Sequence, residues 1–290
     1  MARSSGVILL FLLSSVALNA DPGGRSEVAT NLCTIPRTQV LRIPVNTLNA
    51  GSSDGPAATL MISRGAVDEL PEGPSGFDVL EDGSLLITDP LRNQVSSFDS
   101  HGRFRTAWKI GFPADSLTVI ANDLVLIREA NSGEVRAFDR EGQPQAMNGS
   151  AVPVRPEAQV PPGKNRATVG RAGPGDTRPG PLEIQLDKPD LTLLSVEELA
   201  TDQKGDAYVA LETTARDKNP DAITLNKYVR RYSSDGKLLG EISDIPLDYY
   251  VSPVDELRVH RGVVYQLQPT SSEIRVNIWD TNQVCSHQSH

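Results

Sequence analysis

The chain has 290 residues, with 28 Lys and Arg against 37 Asp and Glu, a formal charge of −9 and a pI near 5.0. An acidic chain gains no counterion-release energy on a phosphate backbone, so the composition argues against nucleic acid as a partner. The same sign of charge disfavours an anionic membrane surface.

From the N-terminus, Arg3 precedes an apolar run, Val7 to Ala17, followed by the small residues Ala17 and Ala20. This is the layout of a secretory signal peptide, and the run is too short to span a bilayer. The expectation is a signal peptide over 1–20, a flexible mature terminus over 21–32, and a secreted or periplasmic protein with no membrane insertion after cleavage. About 270 residues then remain, enough for a sizeable core as one domain or two. The two cysteines, Cys33 and Cys285, stand near the two ends of the mature chain. In an oxidising compartment such a pair most simply forms one disulfide, worth about 5 kcal/mol by loop entropy before strain is discounted.

The segment 73–104, "GPSGFDVLEDGSLLITDPLRNQVSSFDSHGRF", sets the pattern. "GFDVL", "SLLIT", "QVSSF" and the following "FRTAWKI" read as four short strands. Glu81-Asp82-Gly83 and Asp99-Ser100-His101-Gly102 read as hairpin turns in which glycine takes positive φ. The pattern returns around Leu117, Leu199 and Leu257, at spacings from Phe77 onward of 40, 82 and 58 residues. The largest spacing is close to two periods, so a poorly patterned unit is expected over roughly 155 to 195, carrying "LEIQL" and "LTLLS". "QVLRIPV" and "ATLMISRG" add strands ahead of Phe77, and the last unit lacks a fourth strand. Four-stranded antiparallel units at such periods predict an all-β β-propeller, six blades with five as the alternative. "QVLRIPV" is expected to complete the last blade and hide its edges. The domain is expected over 33–286, with a Pro/Gly-rich loop at about 144–181 and a tail at 287–290.

The residues Pro74-Ser75-Gly76-Phe77-Asp78-Val79, Asp82-Gly83, Leu86-Ile87-Thr88-Asp89, Asn93, Val95, Phe98-Asp99 and Gly102 resemble an NHL repeat. The resemblance implies that the first strand of each unit lines a central channel and the fourth lies on the rim. One departure is that Gln94-Val95 follow Asn93 where the family has an arginine two residues on.

Each clear unit starts its first strand beside acidic residues: Asp78, Asp115, Glu197 with Glu198, and Asp255 with Glu256. In the predicted fold these approach one channel mouth, beneath the loops Asp89 to Asn93 and Thr213 to Asn226. Such a set could hold Ca²⁺ through oxygen ligands or attract a cationic ligand. No cofactor is required and no catalytic residue is assigned. His101 and His260 read as turn residues, and Asn148-Gly149-Ser150 is a glycosylation sequon only in a eukaryotic host. Tyr249 and Tyr250 are candidates for a partner-binding patch. Trp108 and Trp279 are the two indoles available to a carbohydrate-binding module. The stretch from Val152 to Ile184 is locally basic and suits an exposed loop. The expectation is therefore a monomeric binding or scaffolding propeller that meets an unidentified protein or small-molecule ligand at the channel mouth. A calcium-dependent lactonase or hydrolase, with Asp115, Glu197, Glu198, Asp255 and Glu256 as metal ligands, is the alternative.

Overall fold

The computed structural model describes residues 33–48, 58–65, 69–120, 124–147, 160, 165–169, 181–186, 190–216 and 223–283. The expected signal peptide and flexible terminus, Cys285, Asn148, the tail, and most of the Pro/Gly-rich loop lie outside the described residues. No helix among the described residues is long and apolar enough to cross a membrane.

Two N-terminal strands, β1 (Gln39–Leu48) and β2 (Leu60–Ser63), precede the repeated units. Blade 1 holds β3 (Phe77–Val79), β4 (Leu85–Asp89), β5 (Gln94–Phe98) and β6 (Phe104–Lys109). Blade 2 holds β7 (Ala114–Ile120), β8 (Leu124–Glu129), β9 (Val135–Phe138) and β10 (Pro144–Gln145). Sheet 3 is the hairpin of β11 (Arg166–Val169) and β12 (Leu182–Gln185). Blade 4 holds β13 (Leu191–Thr201), β14 (Ala207–Arg216), β15 (Ile223–Tyr232) and β16 (Leu238–Ile242). Blade 5 begins with β17 (Leu257–His260), β18 (Val263–Pro269) and β19 (Glu273–Asp280).

The turns explain the punctuation of the sequence. Asp99, Asp139 and Asp202 each accept two backbone N–H groups, two and four residues on, at 2.7–3.1 Å. Gly102, Gly142 and Gly205 close these turns at φ of 78°, 84° and 82°, a region costly for a residue with a Cβ. Asn93 supplies the same left-handed step (φ 50°) after the 3-10 turn Pro90–Arg92.

Four apolar contacts join neighbouring sheets among the described residues. Leu80, Leu86 and Val95 of blade 1 meet Leu117, Val125 and Ile127 of blade 2. Ala167, Val169 and Ile184 of sheet 3 meet Val196, Val209 and Leu211 of blade 4. Tyr208, Ala210 and Val229 of blade 4 meet Leu257, Val264 and Trp279 of blade 5. Ile274 and Val276 of blade 5, with Leu41 and Ile43 of β1, meet Phe77, Leu85 and Ile87 of blade 1. Sheets that stack face to face, with the last returning to the first, are blades of a β-propeller.

The expected closure is present. β1 pairs antiparallel with β19 from Gln39↔Ile278 to Pro44↔Glu273. Beyond Pro44, which cannot donate to a ladder, β1 pairs instead in parallel with β2 from Val45↔Leu60. "ATLMISRG" thus extends the closing sheet to five strands, in the order β17-β18-β19-β1-β2. "LTLLS" opens β13 of blade 4 rather than ending a separate unit. The described residues therefore form five sheets where the repeat spacing led to an expectation of six blades.

Contact between first strands is close. A Cβ added at Gly76 would lie 2.8 Å from Ser116 Cα and 3.0 Å from Leu117 N, both backbone atoms. Gly76→Ala should therefore push β3 from β7 and lower stability by about 1–3 kcal/mol in a denaturant titration.

Asp89, at the end of β4, is wholly buried, and neither carboxylate oxygen has a partner at normal hydrogen-bond geometry. The Arg92 guanidinium lies 3.7 Å away, and Arg92 donates to Thr59 O at 2.6 Å, fastening the start of β2 to blade 1. Burial raises the Asp89 pKa to about 6; the Arg92 charge and the backbone N–H groups of Arg92 and Met61 oppose it. A folded pKa above the unfolded one means stability that is fully present below pH 4 and lost as pH rises through 6. Asp89→Asn should therefore stabilise the fold by up to about 3 kcal/mol at pH 8 and by little at pH 4, read from melting curves at both values.

Candidate functional site

Along β15 one face changes character step by step. Val229 belongs to the apolar contact with blade 5. Two residues outward, Lys227 reaches Glu212 Oε1 at 2.6 Å on β14 and also pairs with Glu256, just before β17. Glu212↔Lys227 and Ser195↔Glu212 are cross-strand partners, so the strand register builds this row. Ser195 Oγ donates to Glu212 Oε2 at 3.1 Å.

This row is one wall of a cleft of about 470 Å³ between blades 4 and 5. Glu197, Glu212, Lys227 and Glu256 supply its charges, and Leu194 and Val254 its exposed apolar rim. Burial works to raise the Glu212 pKa, but hydrogen bonds from Lys227 and Ser195 and the Lys227 charge outweigh it and hold the group below its ordinary value. Its contribution to stability is thus present at neutral pH and lost on acidification through the folded pKa.

Behind the cleft the charges continue into a hydrogen-bond chain. Tyr249 donates its hydroxyl to Glu256 and accepts from Gln266 Nε2 at 2.6 Å. Burial pushes the Tyr249 phenol up to about 12, so it stays protonated as the donor. Asn277 Nδ2 donates at 3.0 Å to both Gln266 and Gln268, and Gln268 donates to Asp248 at 2.6 Å. Tyr250 packs against the core shared by blades 5 and 1. Tyr249 therefore orients Glu256, while Tyr250 stays half-buried.

The acidic residues at the other first strands meet arginines. Arg258, buried on β17, pairs with Asp255 at 2.9 Å and Asp78 at 3.7 Å. It also donates to Leu117 O of β7 at 2.8 Å. Asp78 accepts from Val119 N at 2.7 Å, and Asp255 accepts from the Ser116 hydroxyl. One guanidinium thus ties β17, β3 and β7 together. Asp115 pairs with Arg128 at 2.8 Å, and Glu198 is buried and accepts from Thr201 at 2.7 Å. The six carboxylates Asp78, Asp115, Glu197, Glu198, Asp255 and Glu256 are therefore divided among separate places. Among the described residues no three His, Cys, Asp or Glu side chains are grouped to hold a metal ion.

No protein-family model and no curated protein sequence matches the chain. Similar solved structures include a gluconolactonase from Xanthomonas campestris, at 12% identity over 84% of this chain and 98% of that one, TM-score 0.34. A calcium-binding protein, regucalcin, from Agrobacterium tumefaciens is 12% identical over 73% of this chain and 92% of that one, TM-score 0.31. Virginiamycin B lyase from Staphylococcus aureus is 13% identical over 67% and 77%, TM-score 0.31. At these scores no site or activity is carried to this chain.

Glu197 and Glu256 of the expected set line the cleft; Ser195, Glu212, Lys227 and Arg258 were not legible as site residues. A lysine two residues before the apolar Val229 of β15, and an arginine inside the apolar run "LRVH", are the sequence signals that mark Lys227 and Arg258. Trp279 is wholly buried with its indole N–H on Asp244 at 2.8 Å, and Trp108 packs against Phe138. Neither is an open platform for a sugar. His101 lies in the Asp99 turn as expected, whereas His260 is the last residue of β17, half-buried, with burial lowering its pKa. Cys33 lies on the segment beside β16, its carbonyl accepting from Glu241 N at 2.8 Å.

Both charge centres are largely buried, with the Arg258 side chain 6% exposed and that of Lys227 10%. Arg258→Met and Lys227→Met should each strand two carboxylates and cost about 3–5 kcal/mol, read by urea titration.

Proposed function

We propose that this chain is an exported binding propeller of NHL-repeat type that receives the cationic group of a ligand in the cleft between blades 4 and 5. The observation that carries the reading is the position of Lys227. It is held between Glu212 and Glu256, so two carboxylates share one ammonium, and Glu197 adds a third carboxylate to the lining. A cavity of about 470 Å³ lies within the range of small-ligand sites. Low-dielectric walls concentrate the field of such a group, and the overall charge of −9 draws cations toward it. Leu194 and Val254 offer apolar contact beside the charge, which favours a ligand with an apolar portion next to an amine or guanidinium.

A calcium-dependent hydrolase would place three or more oxygen ligands on one ion. Asp115 and Asp255 are engaged by different arginines, Arg128 and Arg258, and this supports binding over metal-assisted hydrolysis.

The test is calorimetric titration of the purified chain with arginine methyl ester, with its uncharged analogue N-acetylleucine amide, and with calcium chloride. Saturable binding of the ester, weakened about tenfold in the Glu212→Gln/Glu256→Gln variant and by raised salt, is the expected result. Equal binding of the neutral analogue, or saturable calcium binding without ester binding, would overturn the reading.

A further inference from the structure

Blade 4 is built differently from the others. Its β13, β14 and β15 run for 11, 10 and 10 residues, against 3, 5 and 5 for the equivalent strands of blade 1. β14 follows β15 along its whole length, from Ala207↔Tyr232 to Arg216↔Ile223. β16 pairs with β15 only from Val229 to Tyr232. The outer edge of β15 from Ile223 to Tyr228 is therefore paired with no strand among the described residues.

That edge lacks the usual protections. Its sequence, Ile-Thr-Leu-Asn-Lys-Tyr, is rich in strand formers and contains no proline. Natural edge strands are guarded by prolines, bulges or outward lysines. The lysine here is turned into the cleft, where its side chain is only 10% exposed. Ile223 and Leu225, which share the face of Lys227, are 73% and 45% exposed. The apolar face of the overhang and the charged cleft are thus one continuous surface, with Leu225 about 7 Å along the strand from Lys227.

We propose that this edge receives an extended peptide from another protein as an added strand of blade 4. Backbone hydrogen bonds run along Ile223–Tyr228, an apolar side chain of the peptide covers Leu225 and Ile223, and a lysine or arginine reaches the carboxylates of the cleft. The inference rests on the reading of the cleft as a cation site and names the class of ligand it takes. Six residues of open edge match an ordinary strand in length. Charge selects the occupant. The cleft lining favours a basic segment, whereas a second copy of this chain would bring another nine negative charges to the contact. Main-chain bonding gives such a complex its affinity and alternate side chains give it specificity.

The experiment uses the whole chain and the capped peptide acetyl-Lys-Thr-Leu-Thr-Leu-Thr-amide, whose lysine and two leucines fall on one face of a strand, with binding followed by calorimetry. Two further peptides carry N-methyl groups on alternate amides, one on the odd positions and one on the even. In an added strand only one alternating set of amides points at the edge. One methylated peptide should therefore bind at least about tenfold more weakly and the other near the unmodified level. Glu212→Gln/Glu256→Gln should weaken the unmodified peptide by about tenfold as well.

Binding that both methylated peptides retain, or both lose equally, would overturn the added strand while leaving the cleft as a cation site. Binding of arginine methyl ester without any binding of the peptide would do the same. Failure of both the ester and the peptides would remove the cleft reading itself. Dimerisation in sedimentation runs, abolished by Leu225→Lys, would assign the edge to a second copy and overturn the proposal.

Discussion

A propeller blade has two apolar faces, and both are covered in every blade only when the ring is shut. Here the shutting strand is β1. Its ladder to β19 completes the last sheet, and its Leu41 and Ile43 complete the core between blades 5 and 1. Without that ladder β19 would present an open edge, and Phe77, Leu85 and Ile87 would lose part of their cover. Thr34 forms a parallel bridge with Glu241 of β16, so the same segment also fastens blade 4. Further along, Thr59 is held by Arg92 of blade 1. A single N-terminal stretch therefore spans three consecutive blades.

Charge is used in two ways around the ring. Near the axis, where first strands converge, Arg258 is buried and its partners come from three elements, so its energy goes into fixing β17, β3 and β7 against one another. Between blades 4 and 5 the apolar contact ends at Val229 and the polar row starts at Lys227, because successive same-face positions on a strand are two residues apart. The second arrangement lines the cleft. The acidic residues that look alike in the sequence thus have different work according to which basic side chain meets them.

Much of blade 1 was legible because its turns announce themselves. Asp99 and Gly102 each have a local reason to be where they are: a carboxylate receives two amides, and a glycine takes positive φ. The closing strand was legible from the missing fourth strand of the last unit. β13 was not. Its alternation is broken by bulges between Leu193 and Ser195 and between Glu198 and Ala200, so "LTLLS" and "VEELAT" did not read as one strand. The cleft was only half legible for a related reason. Glu197 and Glu256 stand out beside strand starts, but Glu212 and Lys227 become neighbours through a cross-strand register that no local pattern shows. Arg258 carries its signal in its own strand, yet its partner Leu117 O is 141 residues away.

The pairing of Thr38 with Ile278 joins residues 240 apart in the chain. On a ribosome the closing strand is therefore made 240 residues ahead of its partner. Blades 1, 2 and 4 can pair internally as they emerge, since their strands follow one another along the chain, but β1 has no antiparallel partner until β19 has been synthesised. Throughout that interval the exposed segment carries Arg42, which remains outward in the finished sheet, and Pro44, which ends the ladder. A charge and a proline on the waiting strand limit its pairing with any other chain in the meantime. The residues that shape the seam in the folded protein thus also guard it while the ring is open.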